Sequence, residues 1–173
     1  ACRQLGKWSK TDKKNLWISC NFSRATVSKS NFFNRFEEIV NKYSFERSNL
    51  VIELTEDSLA DNKAVAFQNI LACKKLGFKV ALDDLGSGYS SIIDLCDYPI
   101  DIIKIDRHIV AKSTTPRGNA LLRGIVKLAH DLEINVLCEG VETEKENINS
   151  KKAECDYIQG YYYSHVLPQE ETN

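Results

Sequence analysis

A chain of 173 residues, 43% of them hydrophobic, can bury one real core and is short for two domains. Its 23 Lys and Arg nearly cancel 24 Asp and Glu, so the balance of charge points neither to a nucleic-acid duplex nor to an anionic membrane surface. Its longest apolar runs last only a few residues, far short of the ~20 needed to span a bilayer, and the N-terminus has no apolar signal-peptide core. No membrane contact is therefore expected, and the expected location is the cytoplasm, or the cytosolic part of a membrane-anchored protein.

Six short apolar segments suit strands: Leu16 to Cys20, Leu50 to Leu54, Lys79 to Leu82, Ile100 to Ile105, Ile134 to Cys138 and Tyr157 to Gln159. Amphipathic stretches lie between them at Ser30 to Tyr43, Asp57 to Leu76, Tyr89 to Asp97, Asn119 to Leu132 and Glu144 to Ala153. Val65, Phe67, Ile70, Leu71 and Leu76 fit one helical face, and Leu121, Leu122, Ile125, Val126, Leu128, Ala129 and Leu132 fit another. Alternating β and α units with nearly all-apolar strands predict an α/β fold, a parallel sheet covered by helices. Gly77 stands where a helix C-cap belongs, and Ala111 to Gly118 is expected to be the loose connection of the chain. Cysteines 2, 20, 73, 96, 138 and 155 form no C-x-x-C pair and no zinc spacing, so buried, reduced thiols are expected. The chain lacks methionine, even at position 1, and reads as an excised or trimmed fragment.

Each strand ends in a polar group: Asn21, Glu53 with Glu56, Asp83 with Asp84, Lys104 with Asp106, Glu139 with Glu142, and Gln159. In a parallel α/β architecture these edges converge on one face, where barrel enzymes place their active sites. Asp83 and Asp84 face opposite sides of an extended backbone, yet where a strand gives way to a loop both can turn toward one site. Gly86 and Gly88 permit the tight loop that follows. Taken alone, this pair is read equally well as a metal site or as a helix N-cap. Oxygen ligands without His or Cys suit Mg²⁺ or Mn²⁺, and a lysine among them suits a phosphate oxygen or an attacking water. The set points to phosphoester hydrolysis assisted by two metals. Glu56 and Glu142 are read either as first-turn helix charges or as supports of the site, and Tyr161 to Tyr163 as rim packing before base stacking.

The segments NFS at Asn21, ELTE at Glu53, ALDDLGSGYSS at Ala81, IKID at Ile103, CEGVET at Cys138 and QGYYYS at Gln159 together resemble the EAL-domain family, in its order and over nearly the whole chain. The resemblance implies a (β/α)₈ TIM-like barrel, present here as roughly six of its eight strands, that hydrolyses cyclic di-GMP to linear pGpG with two divalent cations, Mg²⁺ or Mn²⁺. It implies that Asn21, Glu53 and Asp83 hold one metal, with Asp83 bridging to a second that Asp84 and Glu139 also serve. It further implies that Lys104 orients the attacking water, that Glu139 accepts the water's proton, and that Gln159 lies beside the substrate. Glu56 would tether the loop that holds Gly86, Ser87 and Gly88, which in the family completes the second metal site and contributes to a homodimer contact. Glu142 would support the site from behind. An upstream sensory or regulatory domain in the full protein is also implied.

Departures inside the motifs are mild: Leu85 stands for the usual Phe, Ser87 for Thr and Cys138 for Ala. The naming Glu-Ala-Leu strand, which precedes the helix resembled by Ala1 to Trp8, is not in the sequence. Residues 1–173 are therefore expected to be a single EAL-like domain truncated at its N-terminus. The alternative function is a catalytically inactive module that binds cyclic di-GMP or a protein partner.

Overall fold

The computed structural model describes residues 1–55, 63–85 and 94–168. They group into two compact units, the first taking in residues 1–83 and 94–102, the second Asp84, Leu85 and the chain from Ile103.

The first unit runs through α1 (Cys2–Trp8), β1 (Ile18–Phe22), α2 (Arg24–Val27), α3 (Phe32–Val40), a 3₁₀ turn (Arg47–Asn49), β2 (Leu50–Thr55), α4 (Lys63–Lys75), β3 (Lys79–Leu85) and α5 (Asp94–Asp97). β1 pairs parallel with β2 from Ile18 opposite Leu50 to Phe22 opposite Leu54, and β2 with β3 from Val51 opposite Lys79 to Thr55 opposite Asp83. Every β2 residue but Thr55 is buried, as a parallel strand covered on both faces should be. Aromatic rings fill the space between sheet and helices: Phe22 meets Phe32 and Phe36 edge-on at 5.5 and 5.9 Å, and Phe36 meets Phe78 at 4.9 Å. The Arg47 guanidinium lies 5.5 Å over the Phe78 ring, a cation–π contact that also covers the core's edge. Buried Asn69 of α4 donates its amide hydrogens to the Val27 and Lys29 carbonyls at 2.7 and 2.9 Å, which fixes the end of α2 against α4.

The second unit holds β4 (Ile102–Ile105, its first residue in the first unit), α6 (Arg107–Lys112), α7 (Pro116–Asp131), β5 (Asn135–Cys138), α8 (Glu144–Lys152) and β6 (Tyr157–Ile158). The Glu139 N–H continues the ladder from β5 to β4 by donating to the Ile105 carbonyl at 3.1 Å, and Leu137 and Cys138 pair parallel with Tyr157 and Ile158. The stretch Ala111 to Gly118 is not loose. Lys112 closes α6, Thr115 caps α7 through the Gly118 N–H at 3.1 Å, and Pro116 takes a first-turn position that needs no N–H. A Cβ on Gly118 would stand 1.9 Å from the Lys112 carbonyl oxygen, so this corner closes only around a glycine.

All six expected strands are present, with shifted ends: β1 starts two residues late, and β3 runs on through both aspartates to Leu85. Helix α3, at Phe32–Val40, is shorter than its amphipathic stretch, and α7 begins earlier than expected, at Pro116. Residues 57–62 and 89–93 of the expected helical stretches lie outside the described residues. Gly77 does terminate α4, at φ +91°, with Gly77 N–H bonded to Lys74 O and Phe78 N–H to Cys73 O. The thiol expectation holds for Cys73 and Cys138, which are buried, only in part for Cys2, Cys20 and Cys155, which are half-buried, and not for Cys96, which is exposed; all six thiols are free. Burial pushes the Cys73 thiol up to about 12.

Candidate active site

Residues opposite one another in a parallel pair share a face, and residues two apart along a strand share it too. Asn21 lies opposite Glu53, Glu53 opposite Ala81, and Asp83 two beyond Ala81. Asn21, Glu53 and Asp83 therefore stand on one face at the C-terminal ends of β1, β2 and β3. Glu53 is 5% exposed, Asp83 half-buried and Asn21 exposed. A buried carboxylate in an otherwise apolar strand needs hydrogen bonds or a counter-charge.

Asp84 breaks the alternation that would turn it to the opposite face. Its φ is +60°, a left-handed conformation that aspartate tolerates better than most side chains, and its carboxylate oxygen lies within 4.8 Å of that of Asp83. Both aspartates lie inside β3, so neither caps a helix and the N-cap reading falls.

Within the second unit, the Asp84 and Glu139 carboxylate oxygens also approach within 4.8 Å, near enough to share a cation. Lys104, 7% exposed in β4, sets its Nζ 2.7 Å from Glu139 Oε1. The contact follows from the ladder: the Glu139 N–H bonds to Ile105, the residue after Lys104, which brings the two side chains together. A lysine against one carboxylate offsets only part of the negative charge gathered by Asp84 and Glu139. Hard oxygen donors in that excess fit Mg²⁺ or Mn²⁺, and the described histidines lie elsewhere: His108 bonds Asp106 at 2.6 Å, His130 bonds Asp156 at 2.9 Å and His165 packs against Tyr161.

Gln159 follows β6, its side chain exposed, with its N–H on the Cys138 carbonyl at 2.9 Å and its own carbonyl accepting from Val141 N–H at 3.0 Å. That exchange sets it beside Glu139. Glu142 is exposed, and its N–H donates to Glu146 Oε2 at 2.9 Å just ahead of the α8 cap, so it is not a first-turn charge of that helix. Asp106 turns out to cap α6, accepting from the His108 N–H at 2.8 Å. Burial pushes its carboxyl up, but the bonds from His108 outweigh this and hold it below the usual carboxylate range. Glu56, Gly86, Ser87 and Gly88 lie outside the described residues.

Gly140 was not singled out by the sequence, although its motif was. It has φ +62°, and a Cβ there would stand 2.5 Å from Arg107 Cβ, so the chain leaves Glu139 by a path that only glycine follows without strain. The capping box on α8, with Thr143 Oγ1 accepting from Glu146 N–H and Glu146 reaching back to Thr143 N–H, has the sequence signature Thr-x-x-Glu.

A family model described as the EAL domain matches residues 1–166. Cyclic di-GMP phosphodiesterase PdeR of Escherichia coli (strain K12) is 34% identical over 168 residues, which cover 96% of this chain and 25% of that protein. The EAL domain of Mycobacterium smegmatis DcpA superposes with a TM-score of 0.93 at 26% identity, over 99% of this chain and 78% of that one. The PaMucR phosphodiesterase in complex with c-di-GMP gives 0.91 at 26% identity, over all of this chain and 70% of that one. The fold is thus α/β and TIM-barrel-like, as in these neighbours, and the chain spans about a quarter of the length of PdeR.

Proposed function

This chain belongs to the EAL-domain family, and from that premise we propose that it hydrolyses cyclic di-GMP to linear pGpG with two divalent cations, Mg²⁺ or Mn²⁺. The observation that carries this reading is the gathering of Asp84, Glu139 and Lys104 within the second unit, with the two carboxylate oxygens within 4.8 Å and the lysine 2.7 Å from Glu139.

Asn21, Glu53 and Asp83 would hold one cation, and Asp83, Asp84 and Glu139 the other. When bound, the cations supply positive charge to the attacking and leaving oxygens of the phosphodiester. Lys104 orients the attacking water and holds Glu139 in place, where Glu139 takes the water's proton. Gln159 holds the substrate beside them. Glu56 tethers the loop of Gly86, Ser87 and Gly88, Glu142 supports the site, and that loop contributes to a homodimer. Residues 1–173 belong to one EAL domain, which a sensory or regulatory domain accompanies in the parent protein. Among the described residues no helix is long and apolar enough to cross a membrane, which is consistent with the cytoplasmic placement we assign to this domain.

Supplying cyclic di-GMP with Mg²⁺ or Mn²⁺ to the protein that carries this chain should yield pGpG. The competing reading, an inactive module that binds the nucleotide or a partner, predicts metal-independent binding that survives Asp84→Ala without turnover. The intact row of carboxylates favours hydrolysis.

A further inference from the structure

Two thiols that the proposed hydrolysis does not use stand together in the second unit. Cys138 ends β5, Cys155 lies in the turn between α8 and β6, and their Sγ atoms are 3.0 Å apart. A disulfide needs about 2.0 Å between sulfurs, so roughly 1 Å of side-chain movement closes the bond. The backbone holds both residues in place. Gln159 N–H bonds to the Cys138 carbonyl at 2.9 Å, and Cys155 N–H bonds to the Ser150 carbonyl at 3.2 Å after Glu154 turns at φ +66°. Cys138 is fully buried and Cys155 half-buried, so a small oxidant meets Cys155 first.

We propose that Cys138 and Cys155 are a redox-active pair that closes to a disulfide under a peroxide and reopens with a dithiol reductant. The Cys155 sulfur attacks one oxygen of hydrogen peroxide, the O–O bond breaks, and the departing oxygen leaves as water with the thiol proton. Cys138 Sγ then attacks the resulting sulfenic sulfur, the S–O bond breaks, and a second water leaves with the Cys138 proton. Two thiols are oxidised by two electrons, and one peroxide is reduced to two waters. The bond ties the residue preceding Glu139 to the residue preceding Asp156, and so brackets β5, α8 and the start of β6.

The test treats the native protein with hydrogen peroxide in mildly alkaline buffer, in a Cys96→Ser background that removes the exposed thiol. Peptide mapping without reductant should show one peptide pair joined through Cys138 and Cys155, two hydrogens lighter than the reduced pair and separated by dithiothreitol. The oxidised protein should melt about 5 °C higher, since the bond restrains the unfolded chain. Cys155→Ser, at a half-buried position, should lose both signals while keeping the native circular dichroism, and Cys138→Ala should match it. Persistence of two free thiols after prolonged oxidation, separate sulfinic acids at the two positions, or cross-links elsewhere would overturn the proposal. None of these readouts depends on hydrolysis, so this inference and the proposed activity stand or fall separately.

Discussion

Asp84 shows how much of a site rests on one backbone angle. Its neighbour Asp83 points as strand alternation dictates, whereas φ +60° at Asp84 turns a second carboxylate toward the first. The adjacent aspartates were plain in the sequence, as were Glu53 and Lys104, because a charge inside an apolar strand is conspicuous. The left-handed turn was not, and neither was the Lys104–Glu139 contact, which depends on the pairing of strands far apart along the chain. Two outcomes follow at this scale. Asp83→Ala should lower turnover about a thousand-fold, because it removes the proposed bridging ligand, with cation affinity falling in parallel by titration calorimetry. Lys104→Met should lower kcat about a hundred-fold while divalent cation binding persists, since the lysine acts on water and on Glu139 rather than on the cation. Loss of cation binding in Lys104→Met would contradict that division of roles.

The elements are held by devices that repeat. Helices α4, α7 and α8 all end in the same paired bonds: Phe78 N–H to Cys73 O, Ile134 N–H to Ala129 O and Cys155 N–H to Ser150 O, each behind a left-handed residue, Gly77, Glu133 or Glu154. Only Gly77 was legible, because glutamate carries no signal for positive φ. Glu133→Gly should therefore stabilise the chain by about 0.5–1 kcal/mol in urea unfolding, relieving the side-chain clash at φ +60°.

Strands share a second device. Asp101, just before β4, accepts the Val80 N–H at 2.7 Å and pairs with Lys74, while Asp156, just before β6, accepts the Val136 N–H at 2.7 Å and pairs with His130 at 2.9 Å. Burial pushes the Asp156 carboxyl up, but bonds from His130 and from the Val136 N–H hold it below its ordinary value of 3.8. A depressed folded pKa contributes stability above that ordinary value and loses it as pH falls through the folded one. Asp156→Ala should cost about 1–3 kcal/mol at neutral pH, because the buried Val136 N–H is left without its acceptor. The same variant should show a shallower loss of stability as the pH falls below the ordinary carboxylate value. Neither clamp was readable from the sequence, since an aspartate before a strand looks like any loop residue.

At the scale of the whole molecule, apolar segments of strand length alternating with helical faces were enough to read the α/β class, and six motifs in family order were enough to read the barrel. Boundaries slipped where caps rather than hydrophobicity decide them, as at Thr115 and Pro116, which open α7 inside the stretch expected to be loose. A cation held at the proposed site should also stabilise the molecule. Saturating Mg²⁺ or Mn²⁺ should raise Tm by several degrees, and Asp84→Ala should lose the shift. The most direct measurement is product analysis after incubating cyclic di-GMP with the protein that carries this chain, in Mg²⁺ or Mn²⁺, with a chelator and Asp83→Ala as controls. The account predicts pGpG with the metal and none in either control; nucleotide bound without turnover in both metals would contradict it.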